Sequence, residues 1–385
     1  MHRTGDTDVS RRPTDVGSGW VVMFSATPWR GGAHRQHALA RQIAVDRRVL
    51  YVDPPGQLPS WRMSVTPVEH NLWRAEVPVL LPLGRQLPPA NLVNRRCGAS
   101  LIRRWLDDRP GHRLLWIDED LAATVAGRLG ELAVVYDATD LDWTFTRRWN
   151  RWHLRRALRS ALAAADVVLA SSSALPTRLP TGQRSVVVLP NGCDPDRFHP
   201  AGPVSSWLAR LPRPVLGYVG AVDTRAFDAD LVAQLATEHP EWTFVLAGPT
   251  TRSGRTPLAR LPNIVLTGPV PFTDVPAILR GCDVTIIPYR VGGLIDYVHP
   301  KKCYEYLATG KPVVATPLPA LRGIGAPIRL AAGPQQFGAA VEEALQTANG
   351  PAEVSLRRSV AVDNSWAVRG AQLRALLTDL AGPPR

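Results

Sequence analysis

A chain of 385 residues with 45% hydrophobic side chains is long enough to fill two cores of ordinary size. Its apolar runs are far shorter than a membrane span, and residues 1–18 are polar with no apolar signal core, so a frayed tail and a cytoplasmic location are expected. The formal net charge of +12 implies attraction to anions such as nucleotide diphosphates or acidic lipid headgroups, while no nucleic-acid-binding motif accompanies it.

Apolar strand-like runs alternate with amphipathic stretches, which predicts a parallel α/β architecture. Strands are expected at 20–25 and 48–54, with a helix over 34–45 between them. Helices follow at 91–106, 121–129 and 147–164, with strands at 114–117, 134–137, 167–170 and 186–189. Residues 190–203 hold Pro-Asn-Gly, Asp-Pro and two further prolines, and read as an interdomain connection. The pattern then restarts. Strands are expected at 215–219, 243–247, 264–266, 284–287, 313–315 and 328–331, with helices at 229–237, 274–280 and 301–308, and helices from 334 onward. In doubly wound sheets ligands bind beyond the carboxyl ends of strands, so the useful residues should follow strands directly. Cys97, Cys193, Cys282 and Cys303 fall at no metal-ligand spacing and form no disulfide framework, so they read as small apolar side chains in a reducing compartment.

The most informative segment is 299–316, which begins His299-Pro300-Lys301-Lys302 and continues through Glu305 to Gly310-Lys311-Pro312. It reads as a loop, a helix, a glycine stop and a buried strand. Backbone N–H groups at such a helix start favour a diphosphate. Lys302 in the first turn opposes the helix dipole, a cost that a bound anion relieves. Glu305 can accept hydrogen bonds from two ribose hydroxyls, or simply pair with Lys301 or Lys302. Further back, Gly217-Tyr218-Val219-Gly220 after a strand gives a ligand room at the backbone, and Arg225 can meet a phosphate.

The order Pro-x-Lys-x-x-Glu-Tyr-Leu-Ala-x-Gly-Lys-Pro-Val-Val-Ala resembles retaining GT-B glycosyltransferases of the family-4-like group, and within it the branch of teichuronic-acid biosynthesis enzymes. Pro190-Asn191-Gly192-Cys193-Asp194 through Phe198-His199-Pro200 is similar to that family's interdomain join. Ser365-Trp366 and Arg369 resemble its last helix, which crosses back to the first domain. The resemblance implies two Rossmann-like domains facing across a cleft: an acceptor domain over 19–195 with 365–385, and a nucleotide-sugar donor domain over 196–364. It implies Glu305 on the donor ribose, with Lys302, Arg225, Gly220, His299 and the loop before Glu305 at the diphosphate and sugar. It also implies transfer with retention and no metal or other cofactor. Many members carry a second glutamate eight positions earlier; here Tyr297 stands there, with Asp296 beside it as a candidate for a sugar hydroxyl.

In the first half, Gly31-Gly32 before a helix leaves room at the cleft, and His37 is either a candidate to touch donor or acceptor or a hydrogen-bonded histidine on the helix. Asp118, Glu119 and Asp120 follow one strand, while Asp137, Asp140 and Asp142 follow another. Strand-end carboxylates suit sugar hydroxyls or acceptor activation, and Asp140 is the one favoured for the site. The stretch 147–159 sets Trp149 and Trp152 among Arg147, Arg148, Arg151, Arg155, Arg156 and Arg159. Such a helix either lies on an anionic membrane or packs with a solvated basic face. The partners implied are a nucleotide-sugar donor and a glycan, lipid-linked or small-molecule acceptor. A nucleotide-sugar epimerase of the same architecture, or a non-catalytic glycosyltransferase-like subunit, are the alternatives.

Overall fold

The computed structural model describes residues 19–30, 34–56, 58–139, 148–182, 185–347 and 350–382, less the side chains of 148–150. Gly31, Gly32, Asp140, Asp142 and the tail 1–18 lie outside the described residues.

The first sheet is built from β1 (Trp20–Phe24), β2 (Arg48–Val52), β3 (Ser64–Glu69), β4 (Leu72–Glu76), β5 (Arg113–Ile117), β6 (Ala133–Ala138), β7 (Val167–Ala170) and β8 (Val186–Val188). Their spatial order is β3-β4-β2-β1-β5-β6-β7-β8, parallel except for the β3–β4 pair. Trp20 is in register with Arg48 on one side and Arg113 on the other. Strands such as Trp-Val-Val-Met-Phe are apolar throughout because helices cover both faces of a parallel sheet. One face carries α1 (Arg35–Ile43), whose Leu39 and Ile43 meet Val21 and Met23. The other carries α2 (Pro88–Asp107), a 3₁₀ turn at Asp120–Val125 and α3 (Arg148–Ala164), packed on Val22 and Phe24. The alternation of side chains along β1 thus divides the core between two layers.

The second sheet contains β9 (Val215–Val219), β10 (Thr243–Ala247), β11 (Ile264–Gly268), β12 (Val284–Ile287), β13 (Val313–Ala315) and β14 (Ile328–Leu330), in the order β11-β10-β9-β12-β13-β14. All its neighbouring pairs are parallel. Its helices are α4 (Ala229–Glu238), α5 (Arg252–Arg255), α6 (Val275–Gly281), α7 (Lys302–Ala308), α8 (Gly333–Thr347) and α9 (Pro351–Asp363). The last helix, α10 (Trp366–Ala381), returns to the first sheet, where Leu373 and Leu377 are buried with α1. Arg374 fixes it there by donating to the Gln42 carbonyl at 2.9 Å.

The crossing is pinned at the Pro-Asn-Gly join. Cys193 N–H donates to Asn364 O at 3.2 Å, and Trp366 N–H to Cys193 O at 2.8 Å. A Cβ on Gly192 would stand 3.0 Å from the Asn364 carbonyl oxygen, so the close approach of the two segments favours glycine.

One local expectation is corrected, and two elements stand where none was expected. The hairpin β3–β4 lies between the strand expected at 48–54 and the helix expected at 91–106; Asn71, at φ 58°, makes its turn. Residues 121–129 form a 3₁₀ turn over Asp120–Val125 rather than a longer helix, and 252–255 form a short helix of their own.

Candidate active site

Each sheet reverses its strand order once, beside β1 in the first and beside β9 in the second. Crevices open at such points, beyond the carboxyl ends of the strands. Some of the candidate side chains lie there.

At the end of β9, Gly220 has φ 154°, and a Cβ on it would collide with Lys302 Nζ. The Lys302 ammonium donates to Tyr218 Oη at 3.1 Å and lies over the rings of Tyr218 and Tyr289, 4.2 and 4.8 Å from their centres. Tyr289 follows β12 directly. Lys302 and Gly220 are therefore brought together, as the sequence suggested, at the switch point of the second sheet. A cation held against aromatic faces and bare backbone is placed to meet an anion.

Glu305 sits one turn further along α7, largely buried, and its Oε1 takes an ion pair from Lys301 Nζ at 3.2 Å. The simple pairing open to Glu305 in the sequence is thus realised. The carboxylate nonetheless lines a cavity of about 620 Å³ between the two halves, together with Lys301, Phe272, Arg197, His34, Arg41 and Trp366. Lys301 also lies over the Phe272 ring at 5.4 Å.

His299 is buried. Burial, with Arg35 and Arg369 nearby, lowers its pKa to about 4, so the ring is neutral at physiological pH. Its Nε2 is 3.4 Å from Tyr304 Oη, and its carbonyl accepts from Asn191 Nδ2 at 2.7 Å. Asn191 Oδ1 in turn accepts from Arg35, which makes a two-pronged pair with buried Asp137 at 2.9 and 3.0 Å. A chain of buried polar contacts therefore runs from β6 through α1 and the interdomain join to the start of α7. Sequence reading missed Arg35 and Asn191 as a pair. Their separation of 156 residues leaves no local signal.

The remaining candidates are dispersed. Arg225 pairs with Asp223 at 3.1 Å and borders a separate hollow with Arg290 and Gly292. Asp296 accepts from Gly292 N–H at 2.9 Å, closing the loop it belongs to. Tyr297 turns its ring toward the first half, with Arg178 5.6 Å above it, and its carbonyl accepts from Ser172 Oγ at 2.6 Å. The position where a second glutamate is common thus serves interdomain packing.

The structure places His37 at the start of α1, hydrogen-bonded, which is the second of its two expected places. It is wholly buried, its Nδ1 accepts from His34 N–H, and its Nε2 meets the Pro28 carbonyl at 3.1 Å. Both nitrogens are occupied by backbone, and burial lowers its pKa to about 4. His34, one turn before it, faces the cavity instead. At the switch point of the first sheet Asp118 is buried, with Ala26 N–H on Oδ1 and Oδ2 unpartnered. Burial, with Asp137 and Glu119 near, raises its pKa well above the usual carboxylate range. Among the described residues, no group of three or more His, Cys, Asp or Glu side chains is placed to hold a metal ion.

Two facing parallel sheets, an interdomain cavity and a returning last helix define a GT-B-like α/β protein. Residues 213–347 match the family described as Glycosyl transferases group 1. The chain is 30% identical over 254 residues to the "Putative teichuronic acid biosynthesis glycosyltransferase TuaH" of Bacillus subtilis (strain 168), covering 60% of this chain and 64% of that protein. It is 26% identical over 354 residues to the 2-deoxystreptamine glucosyltransferase of Streptomyces kanamyceticus, covering 73% of this chain and 88% of that one. Among solved structures, one described as trehalose-6-phosphate from E. coli bound with UDP-2-fluoro glucose superposes with a TM-score of 0.69 at 15% identity, over 95% of this chain and 100% of that chain. Such a likeness carries the fold alone; the family domain and the named relatives support a transferase. Among the described residues no helix is long and apolar enough to cross a membrane.

Proposed function

We propose that the protein transfers a sugar from a nucleotide-sugar donor to an acceptor, with retention of configuration and without a metal. The observation that carries this reading is the placement of Glu305, open to the interdomain cavity, one turn after Lys302, whose ammonium lies against Gly220. In this reading Glu305 leaves Lys301 to accept the two ribose hydroxyls, and the Lys302 ammonium neutralises the diphosphate. Stabilising the departing diphosphate then lowers the barrier, because charge develops there as the glycosidic bond breaks. The donor belongs to residues 196–364, the acceptor to 19–195 with the returning helix. The acceptor aligns over the carboxyl ends of β1, β5 and β6, near Asp118. Helix α3 adds peripheral contact with an anionic membrane.

A donor panel with mass-spectrometric readout of nucleotide release tests the reading. Release that depends on both Glu305 and an acceptor supports it. Conversion of the sugar with donor alone makes the protein an epimerase, and no nucleotide binding by calorimetry makes it a non-catalytic subunit.

A further inference from the structure

The positive charge is not spread evenly. Residues 77–106 contain five arginines and no acidic side chain, and residues 143–165 contain six and none. These stretches supply α2 and α3, which lie on the same face of the first sheet with the 3₁₀ turn Asp120–Val125 packed between them. The outward side of α3 presents Trp152, 67% exposed, among Arg151, Arg155, Arg156 and Arg159.

Next to α2 the surface turns apolar. Leu58 is 80% exposed, Trp61 75% and Leu83 56%, with Leu81 and Leu87 also out in solvent. They come from two loops joined by a pair of backbone hydrogen bonds, Ser60 N–H to Val79 O and Val79 N–H to Ser60 O, each 3.0 Å. The second loop is fixed from below. Asn94 accepts from Leu80 and Leu81 N–H at 2.9 and 3.0 Å and donates to Leu81 O at 2.7 Å. Leu83 is held at φ 59°, a conformation that a leucine side chain disfavours. Apolar side chains are thus held out by a braced backbone, and Arg62 and Arg85 flank them; Arg85 keeps Glu119 3.8 Å away while remaining half exposed.

We propose that this face docks on an anionic lipid bilayer, with Leu58, Trp61 and Leu83 entering the headgroup–acyl boundary and the exposed arginines of α2 (Arg96, Arg103, Arg104) and α3 (Arg151, Arg155, Arg156, Arg159) on the headgroups. An interfacial surface combines apolar side chains with basic ones in this way, and charge attraction alone gives weaker holding. Both helices begin beyond the carboxyl ends of their strands. Docking therefore brings the acceptor side of the cleft to the membrane, which selects a lipid-linked acceptor. Only that last step rests on the transferase reading.

The test is flotation of the full chain with vesicles of phosphatidylglycerol and phosphatidylcholine, against phosphatidylcholine alone, without donor. Wild type floats with the anionic vesicles and not the neutral ones. Trp61→Ser with Leu83→Gly lowers the partition about tenfold or more, as does Arg155→Glu with Arg156→Glu, since each basic residue near such a surface is worth about 1 kcal/mol. Glycine suits φ 59° at position 83, so the first variant keeps its fold, which a thermal melt verifies. Unchanged partition in the loop variant overturns the proposal. So does preference for RNA over vesicles, or a concentration-dependent dimer that the loop variant dissolves. Nucleotide binding by calorimetry is scored separately, so vesicle docking and sugar transfer can fail one without the other.

Discussion

Asn191 donates to the carbonyl of His299 across 108 residues, at 2.7 Å, joining the interdomain connection to the start of α7. The same side chain receives Arg35 from the first half. One amide therefore sets how α7, with Glu305 and Lys302, stands relative to α1. Removing it leaves a buried carbonyl and a buried guanidinium short of a partner, at a cost of about 1–3 kcal/mol. Asn191→Ala is expected to keep both sheets but loosen this joint. Hydrogen exchange followed by mass spectrometry should show faster exchange over 299–305 with the β-strand amides unchanged. Uniform protection across both would mean the contact carries no positional role.

Glu305→Ala is expected to abolish transfer with the fold intact. On the proposed reading the carboxylate accepts charge-assisted hydrogen bonds from ribose, so donor affinity should fall by about 10- to 100-fold, corresponding to roughly 1.5–3 kcal/mol. Lys301→Ala should not weaken donor binding, because its ion pair competes with the ribose for the same oxygens. Calorimetry on both variants separates a ligand from a structural ion pair. Retained activity in Glu305→Ala removes the assignment.

The periodic parts of the chain were legible before the structure. Continuous apolar runs gave β1, β5, β9 and β12 to within a residue or so, because strands covered on both faces have no polar alternation to obscure them. The β3–β4 hairpin was not, since Ser64–Glu69 is an edge strand with Pro67 in it and mostly solvent-facing side chains. Within the candidate site, the places of Lys302, Gly220 and Glu305 in the fold were readable because they lie beside strand ends or on one short helix. Orientation was not readable. Nothing in the spacing says that His37 turns inward to hold Pro28 and His34, or that Tyr297 turns away toward Arg178. Those outcomes depend on contacts from distant segments.

Two buried histidines make stability depend on pH. The ordinary histidine pKa is 6.5, and burial lowers His37 and His299 to about 4 in the folded chain. Between pH 6.5 and about 4 the unfolded chain therefore binds more protons. The stability that these groups confer is complete above 6.5 and declines as pH falls, by about 1.4 kcal/mol per pH unit for each. Asp118 works in the opposite sense, since its raised pKa favours the folded chain at low pH and the benefit fades as pH rises through the folded value. His299→Gln should flatten the fall by about 1.4 kcal/mol per unit within that window. Denaturant midpoints for both proteins at pH 4.5, 5.5 and 7 measure it; parallel curves would contradict the buried neutral state.

Gly220→Val tests the proposed diphosphate end of the site independently of Glu305. A Cβ at this position meets Lys302 Nζ and stands 2.9 Å from Tyr218 Oη, and the backbone is at φ 154°. The ammonium is the tip of a flexible side chain, so it moves first and leaves its place over Tyr218 and Tyr289. The strained backbone adds about 1–3 kcal/mol of destabilisation. Lys302→Ala removes the same charge without touching the backbone. Both should weaken binding of a nucleoside diphosphate by about tenfold or more while binding of the corresponding nucleoside, which lacks the phosphates, stays within about twofold, as expected for a charge-assisted contact worth about 1.5–3 kcal/mol. Equal losses for nucleoside and diphosphate would place Lys302 away from the phosphates and return it to an ordinary cation–aromatic contact.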